Sequence, residues 1–123
     1  MLSGEKSKNL CESGVSIMKN SIEFVAFKLK KGVSELEFRF VSDTFNSEFL
    51  AKQKGYISRK LLAKDDLWAD MVVWETAEDF QNAMNASKEN AAAAHYLSHL
   101  NLSVKGCFFH LFTLEKSYGE DFA

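Results

Sequence analysis

Histidine is the residue type in this chain with the widest range of chemistry, because a neutral imidazole can bind a metal ion or accept a proton. The chain has three histidines, and two of them, His95 and His99, stand four residues apart. On a helix that spacing puts both side chains on one face, which would suit a metal ion. No third ligand is forced nearby, and the segment lacks the glutamate of a zinc-protease motif. We therefore expect no metal site and interpret the pair as residues at a helix end.

The third histidine, His110, lies in an apolar segment near the end of the chain. On a strand it would share a face with Phe108 and Phe112. A buried imidazole there would be neutral and able to act as a base or to contact a ligand. The alternative is a core histidine whose ring N–H bonds a backbone carbonyl, and the sequence leaves both interpretations open.

Two polar or amphipathic side chains stand in one apolar segment, residues 67–75. Trp74 ends that segment, and we expect its ring to pack beneath the following helix. Asp70 lies in the middle, where a buried carboxylate needs a partner. We expect an ion pair with Arg59 or Lys60 on the neighbouring strand.

Phenylalanines at helical spacing form the largest apolar feature of the sequence. The stripe comprises Phe38, Val41, Phe45 and Phe49. It is core material first, but its rings would also wall a pocket if the helices stood slightly off a sheet. No residue can be assigned a catalytic role. The candidate ligand pocket consists of His110, His95, Trp74, Phe45 and Phe80.

The elements that must position these residues alternate in type along the chain. Ser34 and Glu37 match a capping box for the first helix, which we expect to end near Gly55, and Thr76 suits the cap of the second helix. The second helix should weaken at residues 85–90 and resume at 91–97. Apolar runs with strand character occupy residues 22–29, 56–64, 67–75 and 104–114.

The resulting order is strand, helix, strand, strand, helix, strand, which predicts an α+β domain with a ferredoxin-like β-α-β-β-α-β fold. Its sheet would have four antiparallel strands with both helices on one face. The central strands, residues 22–29 and 67–75, are apolar on both faces. The uncovered sheet face would exceed the few hundred Å² of apolar patch that monomers tolerate, so we expect a homodimer of facing sheets.

Composition and charge bound the rest of the molecule. We divide the chain into a flexible leader (1–20), the domain (21–116) and a polar tail (117–123). The net charge of −2 argues against a nucleic-acid partner, and no stretch is apolar and long enough to enter a membrane. Cys11 and Cys107 form no metal-binding pair, and with no signal peptide we expect a cytoplasmic protein.

One stretch carries a resemblance to a known family. The run Val-Val-Trp-Glu-Thr-Ala-Glu-Asp-Phe at residues 72–80, a strand ending in Trp that passes straight into a capped helix, resembles the dimeric α+β barrel superfamily. Its best-known members are the antibiotic-biosynthesis monooxygenases and the haem-degrading monooxygenases. The resemblance spans about residues 22–116. It implies two ferredoxin-like sheets that meet in an α+β barrel.

The haem-degrading branch can be tested residue by residue. Its haem-ligating histidine follows two alanines on the second helix, and Ala93-Ala94-His95 is similar. The branch also has an asparagine in the first strand and a tryptophan in the second helix. The aligned positions here are Val25 and Ala83. We therefore expect no haem, and no other cofactor is predicted.

The antibiotic-type members imply cofactor-free oxidation of an aromatic polyketide. The predicted function is accordingly a small-molecule-binding dimeric domain, a cofactor-independent monooxygenase-like enzyme for an apolar or aromatic substrate. The alternative is a non-catalytic dimeric ligand-binding or interaction domain with a filled interior. A cavity between sheet and helices would separate the two.

Overall fold

A computed structural model describes residues 19–119 of the chain. Most of the predicted leader, Cys11 and the last four residues of the predicted tail lie outside the described residues. The described part contains five strands, three helices and a short 3-10 turn. In chain order they are β1 (Ser21–Leu29), α1 (Glu35–Glu48), the 3-10 turn (Leu50–Lys52), β2 (Tyr56–Lys64), β3 (Leu67–Trp74), α2 (Ala77–Ser87), α3 (Ala91–Leu97), β4 (Leu100–Asn101) and β5 (Phe108–Thr113).

The strands form one antiparallel sheet in the order β2-β3-β1, with β4 and β5 sharing the far edge of β1. This is the predicted ferredoxin-like arrangement with an additional two-residue strand, β4, which was not predicted. The sequence predicted one strand over residues 104–114. Instead, the Cys107 N–H bonds the Val104 carbonyl at 3.2 Å, and Gly106 adopts a φ of +92°. This turn separates β4 from β5.

The first helix begins where its cap was predicted. The Ser34 Oγ accepts the Glu37 N–H at 3.1 Å. The predicted end near Gly55 is too late, because α1 stops at Glu48 and a 3-10 turn follows. Gly55 itself has a φ of +86°, and a Cβ there would lie 2.2 Å from the Asp79 Oδ2. Only glycine fits at this crossing of the loop and α2.

The second helical segment breaks where its pattern weakens. Thr76 caps α2 by accepting the Asp79 N–H at 3.0 Å, and Asn90 caps α3 by accepting the Ala93 N–H at 2.9 Å. Because α3 ends at Leu97, His99 lies beyond the helix that was to align it with His95. These two imidazoles nevertheless lie close together, with ring centroids 4.8 Å apart.

The two faces of the sheet differ in cover. On β3 the side chains toward the helices are all buried, and these are Trp68, Asp70, Val72 and Trp74. The intervening side chains, including Met71, are half-buried on the face away from the helices. We call this second surface the open face. On it Phe108 and Phe112 of β5 are 44% and 52% exposed.

Candidate functional site

A cavity of about 100 Å³ lies between the sheet and the helices. Side chains from β1 and β3 form its floor, and α1, α2 and α3 form its walls and roof. Its lining is almost entirely apolar. The residues around it are Glu23, Val25, Phe45, Phe49, Leu50, Asp70, Val72, Met84, Ser87, Ala93, Tyr96, Leu97, Leu100 and Leu102.

The cavity adjoins a wider hollow of about 370 Å³ at the β5 edge of the sheet. The two spaces share Glu23, Val25, Met84, Leu97 and Leu102 as lining residues. The outer hollow is completed by Phe108 and Phe109, both of which are exposed. The cavity and the outer hollow thus meet at this edge of the sheet, which we call the mouth.

Glu23 is the unusual group on the cavity wall. It stands on β1, on the face toward the helices, and is only 9% exposed. The Trp74 Nε1–H donates to its Oε1 at 3.1 Å. Burial raises the pKa of Glu23 from 4.5 to about 7, against the lowering effect of the Trp74 hydrogen bond. The carboxyl therefore changes its charge near neutral pH.

Asp70, the second acid of the cavity, is fully paired. The Arg59 Nε donates to its Oδ1 at 2.8 Å, so of the two predicted partners, Arg59 and Lys60, it is Arg59 that forms the ion pair. The Tyr96 hydroxyl donates to its Oδ2, and the Arg59 Nη1 also donates to the Ser42 carbonyl at 3.2 Å. Burial raises the pKa of Tyr96, so this hydroxyl keeps its proton. The cluster fixes α3 against β2 and β3.

Aromatic rings close the cavity over this cluster. The Phe45 ring stacks on Tyr96 with centroids 4.3 Å apart, and the Arg59 guanidinium lies 5.4 Å from the Phe45 centroid. The predicted Phe stripe of α1 thus serves as core and as cavity wall together.

The residues predicted for the pocket are only partly brought together. Phe45 lines the cavity, and Trp74 lies behind it, holding Glu23. Phe80 stacks on Phe109 of the mouth with centroids 5.9 Å apart. His95 is exposed on α3, and His110 lies on the open face, across the sheet from the cavity. Their roles in ligand binding stay predictions.

His110 is also not buried, although its apolar neighbours in the sequence had suggested a buried imidazole. Its ring lies 5.4 Å from Phe108 and 5.7 Å from Phe112, but all three side chains are exposed. The sequence correctly predicted that His110 lies beside Phe108 and Phe112. It did not predict that the three side chains are exposed in the single chain, where β5 is an edge strand.

Glu23 and Tyr96 were not identified from the sequence as site residues. A signal for Glu23 was present, since it is an acid between Ile22 and Phe24 in a strand that is apolar on both faces. The same argument that singled out Asp70 applies to it. Tyr96 carries no comparable signal, because its role depends on how α3 packs.

Neither a metal cluster nor a membrane span is found within residues 19–119. No group of three or more His, Cys, Asp or Glu side chains is placed there to hold a metal ion. No helix in that range is long and apolar enough to cross a bilayer.

Comparisons with known proteins identify the fold. No family model matches the sequence, and no curated protein matches it. Among solved structures, SnoaB, a cofactor-independent oxygenase from Streptomyces nogalater, superposes with a TM-score of 0.66 at 20% identity over 83% of this chain and 99% of its own. A Bacillus cereus protein provisionally named an antibiotic biosynthesis monooxygenase gives 0.54 at 22% identity, over 84% and 98%.

A third structure, likewise provisionally named, comes from Nitrosomonas europaea and gives a TM-score of 0.61 at 11% identity, over 83% of this chain and 96% of its own. At such identities the likeness concerns the fold. It agrees with the resemblance carried by residues 72–80. This chain therefore has the ferredoxin-like α+β fold of the antibiotic-biosynthesis monooxygenases.

Proposed function

We propose that this chain is a dimeric, small-molecule-binding α+β barrel domain that acts as a cofactor-independent monooxygenase on an apolar or aromatic substrate. The observation that carries the proposal is the apolar cavity between sheet and helices, which opens at the mouth and has Glu23 on its wall. A filled interior would have favoured an interaction domain. SnoaB, which has the same fold, is a cofactor-independent oxygenase, and this supports the choice of reaction.

The reaction needs no metal or flavin if the substrate supplies the electrons. A methylene group made acidic by a neighbouring aromatic ketone can react as its enolate with O₂. One oxygen atom becomes the new carbonyl and the other leaves as water, so that R₂CH₂ and O₂ give R₂C=O and H₂O. The protein then has to exclude bulk water, orient the ring and remove a proton. An apolar cavity with one titrating acid suits these tasks.

A second copy of the chain is the proposed partner, seated on the open face. That face carries Ile22, Phe24, Met71 and Val73 from the central strands, flanked by Phe108 and Phe112 from β5. A stable interface buries about 800 Å² per partner. The cytoplasm remains the proposed compartment, where Cys107 would stay a free thiol.

The test combines ligand binding with oxygen consumption. The protein is screened by thermal shift against aromatic ketones, phenols and quinones, and then assayed in an oxygen electrode. A ligand at about 100 times its Kd stabilises the fold by about 2.7 kcal/mol. Binding together with oxygen uptake supports the enzyme, whereas binding without uptake indicates the non-catalytic ligand-binding domain. Failure of every ligand to bind rejects both and leaves an interaction domain.

A blocking variant ties the result to the cavity. Leu102 lines both the cavity and the mouth and is 52% exposed, so Leu102→Trp should obstruct entry without disturbing the core. Leu36→Trp is the matched control, because Leu36 is 79% exposed on α1, away from the mouth. We expect binding to be lost only in Leu102→Trp. Equal loss in both variants would contradict the assignment of the site.

A further inference from the structure

We infer that Glu23 is the catalytic base of the cavity and that its ligand is an aromatic compound carrying one acidic hydroxyl, a phenol or an aromatic enol. The inference rests on the proposed function, for which it supplies the proton acceptor and the substrate class. It follows from how the polar atoms around the cavity are paired.

The two oxygens of Glu23 differ in their surroundings. Oε1 accepts the hydrogen bond from the Trp74 Nε1–H at 3.1 Å, and Trp74 is fully buried, so this oxygen is fixed. Oε2 has no partner among the described residues. The side chain is 9% exposed and lines both the cavity and the mouth. A buried carboxyl oxygen without a donor is unfavourable, and a ligand hydroxyl would supply that donor.

The other polar groups on the lining are already engaged. Both oxygens of Asp70 accept hydrogen bonds, from Arg59 and from Tyr96. The Tyr96 hydroxyl uses its proton in that bond, and the Ser87 Oγ donates to the Met84 carbonyl at 2.7 Å. The remaining lining residues are apolar. The cavity therefore fits a ligand with an apolar body and a single donor directed at Glu23.

The proton step can be written from this geometry. The O–H bond of the ligand breaks, the proton passes to the Glu23 Oε2, and the electron pair stays on the ligand oxygen. The resulting anion is the electron-rich form that O₂ oxidises in the proposed reaction. The anion forms a C–O bond to one atom of O₂ at the carbon that carries its negative charge, and the resulting peroxide takes the proton from Glu23, which restores the carboxylate. Loss of the remaining hydrogen from that carbon with cleavage of the O–O bond then gives the carbonyl of the proposed reaction and one water.

The basicity of Glu23 suits this step. A phenol titrates near pH ~10 and an ordinary glutamate near ~4.3. Burial raises the pKa of Glu23 to about 7, which brings it closer to the pKa of a phenol. Much of the group is still ionised at neutral pH. An exposed glutamate would be a much weaker base toward the same hydroxyl.

Few charged groups face Glu23 from the surrounding elements. Asp70 on β3 raises its pKa and Arg59 on β2 lowers it, while the protonated Tyr96 hydroxyl on α3 lies beside them. From α2 the lining side chains are Met84 and Ser87, and from β5 the mouth residues are phenylalanines. Because Asp70 and Arg59 are paired with each other, a pH dependence near neutrality belongs to Glu23.

The experiment measures the affinity of 2-naphthol for the protein from pH 5 to pH 9, where a phenol stays neutral. In the wild-type protein the affinity should rise about tenfold with a midpoint near pH 7, because a carboxylate accepts a stronger hydrogen bond than a carboxylic acid. Glu23→Gln keeps an acceptor for Trp74 but cannot ionise, so its profile should be flat. Glu48→Gln, at an exposed position on α1, should retain the rise.

The outcomes separate this inference from the function on which it rests. A flat wild-type profile, or a rise that survives in Glu23→Gln, overturns Glu23 as the base but leaves the cavity as a ligand site. Naphthol binding that Leu102→Trp does not affect rejects the cavity as well. If Glu23→Gln does not fold, Trp74→Phe replaces it. Loss of the indole N–H should shift the midpoint above that of the wild type, and an unmoved midpoint overturns the inference.

Discussion

The two faces of the sheet differ in which side chains they carry and in how those side chains are covered. The face toward the helices contains charged groups, yet nearly all of them are paired, as Asp70 is with Arg59 at 2.8 Å. The open face presents Met71 and Phe112 beside the imidazole of His110 and the side chain of Lys60 on β2. The covered face thus contains polar contacts within one chain. The open face contains apolar side chains that the helices do not cover.

This difference indicates where each kind of function belongs. Burial shifts the pKa of a polar group and fixes its geometry. Among the described residues, Glu23 and Tyr96, both between sheet and helices, have pKa values raised in this way. The exposed apolar side chains of the open face are where the proposed partner would pack. The proposed chemistry therefore belongs between sheet and helices, and the proposed partner belongs on the opposite side.

The largest expected effect comes from breaking the buried ion pair. Arg59→Met leaves the Asp70 carboxylate without its cation in a site where both side chains are less than 10% exposed. Such a loss costs about 3–5 kcal/mol of unfolding free energy, measured by urea denaturation at fixed protein concentration. Arg39→Met is the matched control, because its ion pair with Glu35 is on the surface and contributes no more than about 0.5 kcal/mol. Similar losses in both variants would contradict the buried network.

The next effect is the pH dependence of stability that Glu23 produces. Its pKa is 4.5 when unfolded and about 7 when folded, so the native state binds the extra proton between these values. The contribution of this proton is fully present below pH 4.5 and is lost as the pH rises through 7. The wild type should thus lose about 3 kcal/mol relative to Glu23→Gln between pH 4 and pH 8. Parallel stability curves for the two proteins would disprove the raised pKa.

A pair of neighbouring positions on β3 tests the open face. Met71→Asp places a charge on that face, so we expect a folded monomer and a dimer weakened by about 2–3 kcal/mol, roughly a hundredfold in Kd. Val72→Asp places the same charge under the helices, where Val72 is 3% exposed, and should unfold the chain. Analytical ultracentrifugation and circular dichroism report the two outcomes. A wild-type monomer at micromolar concentration would remove the proposed partner.

Local signals made most of the fold predictable from the sequence. The Ser34 and Thr76 caps, the weakened helix before Asn90 and the two-faced strands each depend on residues close together in the chain. The predicted element boundaries were wrong where the backbone forms a turn that the residue pattern did not indicate. A turn at Gly106 delays the predicted last strand from residue 104 to Phe108, and a 3-10 turn follows the end of α1 before Gly55.

The candidate site was less predictable because it depends on contacts between distant segments. The residue types were enough to predict an ion pair of Asp70 with Arg59 or Lys60 on the adjacent strand, but not which of the two would form it. The third member, Tyr96, comes from a short helix whose position no pattern specifies. Glu37, expected to complete the cap of α1, instead meets the His99 Nε2 at 3.0 Å, a contact between residues 62 positions apart.

The smallest expected effect concerns His110, which the sequence assigned to the ligand pocket and the structure places on the open face. Because its side chain is exposed, His110→Ala should change the unfolding free energy of the monomer by no more than about 0.5 kcal/mol. The cavity lies across the sheet, so 2-naphthol affinity should stay unchanged. Dimer affinity should fall modestly, by about 1 kcal/mol, since the ring contacts Phe108 and Phe112 where the partner would pack. Loss of naphthol binding with an intact dimer would reverse this assignment and return His110 to the ligand site.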